Sequence, residues 1–381
     1  MYDFDKITER RGSGCYKWDN VPDNVLPMWV ADMDFEAAPP IKEALRRRLE
    51  HGVFGYEKVP EEYYRSTIDW FERRHSWRIE REWMLYTTGV VPALSAIVCA
   101  LTGPGDGVIL LTPVYNCFFT CVTNNACHTV EVPLGVDAAD GMYHIDFDGV
   151  EQAAAAPTTR LLLLCNPHNP GGRIWTRDEL ARLADICRRH GVIIVSDEIH
   201  CELTMPGNAY VPFGTLATDD YIVCCSPSKC FNIAGLQAAD IITPRDDWRE
   251  AINHAINIHE TCDINPFGAE AHIAAYRHGE PWLDELNHYI KGNYDALCDF
   301  FSSRLPGFPV MPLQATYLAW VDIRSTGLTS DEVTRRLLES GRVQVNSGTM
   351  YGAAGEGYIR INMATQRSRL LDGLNRIASA L

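Results

Sequence analysis

The sequence predicts an α/β fold in which a mostly parallel sheet lies between two layers of helices. Short, continuous apolar runs recur from Thr87 onward, and segments with helical spacing separate them. Such runs are typical of strands that are buried on both faces. Polar residues follow directly after most of these runs. At 381 residues the chain also exceeds the size at which one core usually stops growing, so we expect a second domain.

The N-terminal part of the chain is predicted to be an arm followed by two helices. Residues 1–35 are irregular and rich in aromatic residues and prolines, and we interpret them as an arm that packs on another part of the protein or crosses to another subunit. Pro39-Pro40 is expected to begin a helix, since proline costs little at the first helical positions. A loop from His51 to Tyr56 follows, and helical spacing resumes from Tyr63 to Arg74.

The central part of the chain alternates between helices and apolar runs. A helical face extends from Val91 to Leu101, and Leu180–Cys187 is predicted to form a further helix that ends at Gly191. The predicted strands are Val108–Leu111, Leu161–Cys165, Val192–Val195, Tyr221–Cys225 and Ile241–Ile242.

The last hundred residues have a different pattern and predict a smaller α+β domain. Trp282–Leu305 is read as one long helix, and a capping box formed by Thr329 and Glu332 is expected to begin another helix. We therefore predict an arm over 1–35 that includes the start of the small domain, a large domain over 36–280 and a small domain over 281–381. The predicted strands of the small domain are Thr316–Ile323, Val343–Val345 and Tyr358–Met363.

Composition excludes several classes of partner. The 34 Lys and Arg residues and 50 Asp and Glu residues give a formal charge of -16, which argues against nucleic acid or an anionic membrane as the main partner. The N-terminus has no apolar signal region, and no stretch has the roughly 18 apolar residues of a membrane helix, so a cytoplasmic location is expected. The 13 cysteines lie mostly in apolar runs and have no metal-ligand spacing, so no metal site is predicted.

The predicted strand ends are the places to look for a ligand site, because ligands bind beyond the carboxyl ends of parallel strands. Ser226-Pro227-Ser228-Lys229 follows one apolar run. A lysine amine forms Schiff bases with carbonyl compounds when burial or a neighbouring cation lowers its pKa. A lone lysine is more often a solvated surface residue, so the interpretation of Lys229 depends on the other strand ends.

Two further strand ends suit a phosphate and a flat ring. Thr88-Gly89-Val90-Val91 leads directly into a helix, and the first N–H groups of a helix have no internal partner, so they favour an anion. Tyr115 follows another strand and is placed to stack on a ring, although a packing role is the more common one for a single tyrosine.

The two remaining strand ends carry an amide and an acid. In the segment from Asn166 to Gly172, two Asn-Pro pairs are expected to hold Asn169 rigidly as a hydrogen-bond donor above the sheet. Asp197 follows a buried strand, where an acid requires a cation, a metal or several donors. A protonated heterocyclic nitrogen would meet that requirement.

One ligand would use all five strand ends. An aromatic pyridinium that carries an aldehyde and a phosphate, namely pyridoxal phosphate, matches the lysine, the acid and the helix start together. A nicotinamide cofactor fits less well, because the dense glycine run Gly103–Gly107 lies before a strand instead of between a strand and a helix.

The chain resembles the class I/II aminotransferases of the fold-type-I pyridoxal phosphate enzymes. The segments that carry the resemblance are TTGVV, PVY, NPHNPGG, SDEIH, SPSK and GYIRIN, in that order. MWVADMDF, SDEIHCEL and SKCFNIAGLQ are similar to the cystathionine β-lyase-like, carbon–sulfur lyase branch of that family. The resemblance covers nearly the whole chain. It implies pyridoxal phosphate as cofactor, a seven-stranded sheet in the large domain, and a homodimer with shared active sites.

The resemblance also implies roles for individual residues that bind the cofactor. Lys229 would form the Schiff base with the cofactor and later take the α-proton, and Asp197 would pair with the ring nitrogen. Tyr115 would stack on the ring as the third catalytic residue. Asn169 and His200 would hydrogen-bond the ring hydroxyl. The residues implied for the phosphate are Gly89, Val90, Val91, Ser226, Ser228 and, from the neighbouring subunit, Tyr56.

The implied substrate-binding residues are Arg360, Trp29 and Asn169. The Arg360 guanidinium suits bidentate binding of the α-carboxylate, and strand alternation points it away from the apolar face. One position departs from the family pattern: Gln237 stands where many aminotransferases have a phosphate-binding arginine. Neutral donors would therefore hold the phosphate.

The expected activity is β-elimination from L-cystathionine or related cysteine S-conjugates, giving pyruvate, ammonia and a thiol. Two alternatives remain open at this point. Transamination of an L-amino acid would share the first step, the removal of the α-proton. A regulatory protein that keeps the fold without chemistry is the third hypothesis.

Overall fold

The computed structural model describes residues 2–216, 219–258 and 261–381. The strands are β1 Leu26–Pro27, β2 Met84–Thr87, β3 Gly107–Thr112, β4 His128–Pro133, β5 Gly135–Val136, β6 Tyr143–His144, β7 Thr159–Cys165, β8 Ile193–Asp197, β9 Tyr221–Cys225, β10 Ala239–Ile242, β11 Leu318–Asp322, β12 Val343–Gln344, β13 Asn346–Ser347 and β14 Tyr358–Asn362. The helices are α1 Tyr16–Asp19, α2 Pro39–His51, α3 Glu61–His75, α4 Val90–Leu101, α5 Cys117–Thr123, α6 Phe147–Ala154, α7 Arg177–His190, α8 Asp246–Asn257, α9 Pro266–His278, α10 Glu280–Arg304, α11 Ser330–Glu339 and α12 Arg367–Ala380.

The main sheet has seven strands in the order β2-β10-β9-β8-β7-β3-β4. Strand β10 is antiparallel to both of its neighbours, and the others run parallel to one another. Strands β3 and β9 are buried along their whole length and β7 is buried from Leu161 onward, which explains their uninterrupted apolar runs. The predicted α/β fold with a mostly parallel sheet is confirmed.

Two helical layers cover this sheet, and each faces its own hydrophobic cluster. On one side, Val90, Leu94 and Ile97 of α4 pack with the side chains of Val108 and Leu110 in β3. On the other side, the alternate residues of β3, β7 and β9 pack against helices that include α3, α7 and α9. Successive side chains of a strand point to opposite faces, so each strand contributes to both clusters.

A second, three-stranded sheet has the order β11-β14-β13 and is antiparallel. Helix α10 is continuous over 25 residues, as the sequence predicted. The predicted capping box is also present: Thr329 Oγ1 accepts the Glu332 backbone N–H at 3.2 Å, and Glu332 Oε2 accepts the Thr329 N–H at 2.9 Å. The division into an arm, a large and a small domain stays a prediction.

Backbone hydrogen bonds connect the N-terminal residues with the C-terminal part of the chain. Strand β1 pairs in parallel with β12, and Asn362 donates its backbone N–H to the Met28 carbonyl at 2.9 Å. Several elements were not predicted from the sequence, and three of them show why. Helix α1 is a single turn, β2 is only four residues long, and β4 at the edge of the sheet is largely exposed, so none of them carries a long apolar run.

All 13 cysteines are free thiols in the structure, and most of them are buried. Among the described residues, no helix has both the length and the apolar composition that crossing a membrane would require. The cytoplasmic location expected from the sequence stays a prediction.

Candidate active site

The residues that follow five strands of the main sheet meet at one cavity. Strands β2, β3, β7, β8 and β9 run in the same direction, so their carboxyl ends lie along one edge of the sheet. The cavity there has a volume of about 260 Å³. Its lining consists of Ala31, Thr88, Gly89, Val90, Val91, Pro92, Tyr115, Cys165, Asn169, Asp197, Ile199, His200, Ser228, Lys229, Ala234 and Gln237.

Gln237 reaches the same edge because β10 runs in the opposite direction. An antiparallel strand begins where its parallel neighbours end, and Ala239 at the start of β10 pairs with Thr87 at the end of β2. Gln237 has a left-handed backbone with φ of 55° and lines the cavity. The cavity therefore has an uncharged amide at the position where the family pattern has arginine.

Lys229 lies beyond the end of β9 with its amine turned inward. Its Nζ donates to the Ala31 carbonyl at 2.8 Å. Burial lowers the pKa of the amine below its ordinary value, although the Asp32 carboxylate raises it. An amine with a lowered pKa loses its proton more readily, and this is the condition for nucleophilic attack on an aldehyde.

Asp197 is the last residue of β8, and its side chain is only 3% exposed. Its Oδ1 accepts the backbone N–H of Ile199 at 3.1 Å. Burial raises the pKa of this carboxyl to about 7. Asp197 forms no ion pair within the described residues, although the Lys229 amine on the same cavity acts to lower the pKa of the carboxyl. A cation supplied by a ligand would remove the desolvation cost of the ionised carboxylate.

Asn169, His200 and Tyr115 surround the middle of the cavity. The Asn169 side-chain oxygen accepts from Arg360, so its NH₂ group is the end available to a ligand. Burial lowers the pKa of His200 to about 3, so its imidazole is neutral. His200 Nδ1 is buried without a hydrogen-bond partner among the described residues, which marks it as a group that a ligand completes.

The start of α4 lies at one end of the cavity and is suited to an anion. Gly89 precedes the helix, and the backbone of Val90 and Val91 supplies N–H groups that have no partner within the helix. Ser228 also lines this space. The Ser226 hydroxyl lies behind it, since it donates to the Ala238 carbonyl at 2.7 Å and accepts the Ser228 N–H at 3.1 Å.

Arg360 lies in the middle of β14 and is only 3% exposed. Its Nη1 donates to Asn169 Oδ1 at 3.0 Å, and its Nη2 donates to the Trp29 carbonyl at 2.9 Å. Both acceptors are neutral, and Nε has no partner among the described residues. A buried guanidinium in these surroundings favours the binding of an anion such as a carboxylate.

Residues 29–35, here called the strap, reach the cavity at Ala31. Asn362 Nδ2 donates to two strap carbonyls at 2.5 and 2.7 Å, and Asn232 Nδ2 donates to two more at 3.0 and 2.9 Å. Asp34 is buried and forms ion pairs with Lys17 at 3.1 Å and with an arginine of the arm at 2.8 Å. These contacts fix the carbonyl that accepts Lys229.

Four of the sequence-predicted site residues, namely Ser226, Arg360, Trp29 and Tyr56, are not part of the cavity lining. The Trp29 ring packs against Tyr16, and it is the Trp29 carbonyl that contacts Arg360. Tyr56 is 99% exposed in the single chain. Its exposure leaves it free to contact another molecule.

Sequence reasoning missed Tyr317, whose hydroxyl donates to the same Ala31 carbonyl at 2.9 Å and whose ring is 6.2 Å from that of His200. It also missed Asn232 and Asn362, which hold the strap. Asn362 directly follows the predicted Arg360-Ile361 pair, and Asn232 is three residues after Lys229, so proximity in the sequence was the available signal.

The cavity fits pyridoxal phosphate. It combines an amine of lowered pKa at Lys229, a buried acid without a cation at Asp197, an unpaired ring nitrogen at His200, and a helix start for the phosphate. Each group matches a different part of that one molecule. The fold and the site together define a pyridoxal-phosphate-dependent enzyme that acts on a small amino-acid substrate.

The chain belongs to the family described as aminotransferase class I and II, whose model matches residues 24–377. It is 42% identical over 387 residues to cystathionine β-lyase PatB of Bacillus subtilis, covering 99% of each chain. It is 35% identical to protein MalY of Escherichia coli, covering 100% of this chain and 99% of that one. The structure of cystalysin from Treponema denticola, which contains pyridoxal 5'-phosphate, superposes with a TM-score of 0.96 at 34% identity, covering 100% and 98% of the two chains. The resemblance to the carbon–sulfur lyase branch is confirmed.

Proposed function

We propose that the protein is a carbon–sulfur β-lyase that cleaves L-cystathionine or related cysteine S-conjugates to pyruvate, ammonia and a thiol. The observation that carries this proposal is the 42% identity to a cystathionine β-lyase over 99% of each chain. The cavity supports it, because the lysine, the acid and the arginine that the reaction requires lie in and beside one space.

Arg360 and Asn169 bind the α-carboxylate of the substrate. The Arg360 fork offers parallel N–H donors to the two carboxylate oxygens, and Asn169 is already bonded to it. This anchoring directs the substrate Cα toward Lys229. The strap contributes Ala31 to the lining of the cavity on that side.

Pyridoxal phosphate supplies the aldehyde that condenses with the substrate amine and the conjugated ring that accepts an electron pair from Cα. Asp197 would pair with the protonated ring nitrogen, and the Tyr115, Asn169 and His200 side chains would hold the ring. Gly89, Val90, Val91 and Ser228 would hold the phosphate, with Gln237 in place of a charged donor, and Ser226 would support Ser228 by accepting its backbone N–H.

Lys229 is the group that moves the proton. Its amine, once released, takes the α-proton of the substrate, and its lowered pKa makes the lone pair more available. The C–S bond then breaks, the sulfur leaves with the electron pair as a thiolate, and hydrolysis of the remaining three-carbon fragment gives pyruvate and ammonia.

The lyase activity is tested by incubating the protein with L-cystathionine in the absence of any keto acid. Pyruvate and free thiol are expected to form in equal amounts and without an acceptor, because elimination needs no second substrate. Pyruvate is measured by a coupled assay and the thiol with a chromogenic disulfide. Turnover that begins only after a keto acid is added would identify an aminotransferase instead.

A homodimer with shared active sites is the second part of the proposal. Val53, Phe54 and Tyr56 form an exposed apolar segment between α2 and α3, and such a segment is typical of a protein contact. Tyr56 would reach the phosphate in the neighbouring subunit, where its hydroxyl would add a donor from the second chain.

Subunit complementation tests this sharing. Lys229→Ala and Tyr56→Ala dimers are unfolded and refolded together at limiting cofactor, so that half of the dimers become hybrids. Each hybrid would contain one intact site, so the mixture is expected to recover about a quarter of the wild-type activity. A mixture that is no more active than the sum of the two separate variants would rule out a shared site.

A further inference from the structure

The orientation of Arg360 depends on two acceptors. A guanidinium has five N–H donors, and only the bonds to Asn169 Oδ1 and to the Trp29 carbonyl are made within the described residues. The direction of the remaining donors is therefore set by where those two oxygens lie. Asn169 is held by its proline-flanked loop, whereas the Trp29 carbonyl belongs to irregular backbone of the strap.

Asn346 holds the Trp29 carbonyl in place. It lies directly opposite Arg360 in the β13–β14 pair, so the two side chains share one face of the sheet. Asn346 Nδ2 donates to the Trp29 carbonyl at 3.1 Å. A carbonyl oxygen has two lone pairs, so Asn346 occupies one and leaves the other to Arg360. Because a carbonyl only accepts, this contact also assigns which end of the amide is the NH₂ group.

Asn346 also holds the ring beneath the guanidinium. Its Nδ2 donates to the Tyr351 hydroxyl oxygen at 2.9 Å, and the Arg360 Cζ lies 5.0 Å from the centre of the Tyr351 ring. The Tyr351 carbonyl accepts the Val114 N–H at 2.9 Å, one residue before Tyr115. The Asn346 amide thus connects the Trp29 carbonyl, which lies at the edge of the Arg360 guanidinium, with the Tyr351 ring, which lies against its face.

We propose that Asn346 is a positioning residue for the α-carboxylate of the substrate. It acts through the Trp29 carbonyl and the Tyr351 ring, and it sets the orientation in which Arg360 receives the two carboxylate oxygens. This inference rests on the proposed function, in which Arg360 binds that carboxylate. Asn346 therefore affects carboxylate recognition much more than the bond-breaking steps at Cα and Cβ.

The holoenzyme variant Asn346→Ala tests this role. Its KM for L-cystathionine is expected to rise about tenfold with kcat changed by less than about threefold, since the lost effect is on binding. Calorimetry with 3-(methylthio)propionate, which has a carboxylate and a thioether but no amine, is expected to show a similar loss of affinity. Affinity for the corresponding amide and the visible spectrum of the cofactor should not change.

Two further variants distinguish a failure of the proposed role of Arg360 from a failure of the proposed role of Asn346. Arg360→Lys tests the premise: if it leaves the affinity for the acid unchanged, the proposed role of Arg360 is wrong. If Arg360→Lys weakens acid binding but Asn346→Ala alters it by less than about twofold, the positioning role of Asn346 is overturned. Equal losses for the acid and the amide would overturn it as well. Asn346→Ser retains one hydroxyl donor and is expected to show an intermediate KM, which provides a milder variant should alanine impair folding.

Discussion

The variant Lys229→Ala is expected to lose at least about ten-thousandfold in kcat for cleavage of cysteine S-conjugates, because one amine serves as both nucleophile and base. The structure gives the physical reason: burial lowers the pKa of this amine, and its Nζ is already directed into the cavity by the Ala31 carbonyl. The protein should also lose the visible absorbance band that the cofactor has when it is linked to Lys229. Pyruvate formation and the absorbance spectrum check the two expectations separately.

Lys291 provides a matched control, because it is a partly exposed lysine of α10 that pairs with Asp295 at 2.6 Å. Lys291→Ala should retain the wild-type kcat and spectrum. Adding a small primary amine such as ethylamine to Lys229→Ala should restore part of the activity if the missing group is a base. Retention of more than about a tenth of the wild-type kcat by Lys229→Ala would contradict both roles of Lys229 and revive a non-catalytic protein of this fold.

Much of this site could be predicted because parallel strands end at one edge of a sheet. Asn169, Asp197 and Lys229 are separated by some thirty residues each, yet all three line one cavity. The strand before each of these residues is a continuous apolar run that can be recognised in the sequence, and a polar residue marks the point where the run ends. The same argument found Tyr115 and the start of α4.

The remaining parts of the site could not be predicted, because they depend on contacts between distant segments that have no periodic pattern. Ala31 contributes a backbone carbonyl, which no residue type reveals. Asn346 lies in the second sheet and Tyr317 lies just before β11, and their contacts with strap carbonyls bring them to the site. The edge strand β4 was missed for a related reason, since its exposed residues carry no apolar run.

The second large effect is expected for Asp197→Asn, which keeps the shape of the side chain and removes its charge. The carboxylate is buried, bonded to one backbone N–H, and without a cationic side chain within salt-bridge distance among the described residues. Its pKa is raised to about 7 by this burial, so a cation beside it strongly favours the ionised form. When the cofactor binds, its ring nitrogen supplies that cation, and each stabilises the charge of the other.

Asparagine cannot stabilise a protonated ring nitrogen in this way, so the ring accepts electrons from Cα less readily. A fall in kcat of about a hundred- to a thousandfold is therefore expected for Asp197→Asn, as for the loss of one buried electrostatic contact at a reacting centre. Cofactor affinity should fall as well, and the pH dependence of the cofactor spectrum should change.

The charge-retaining variant Asp197→Glu should keep the ring nitrogen protonated and lose less activity than Asp197→Asn. If the two variants lose the same activity, the position of the side chain matters and its charge does not, which would contradict the ion pair. If Asp197→Asn keeps a kcat within about threefold of wild type, Asp197 has no electronic role in the reaction.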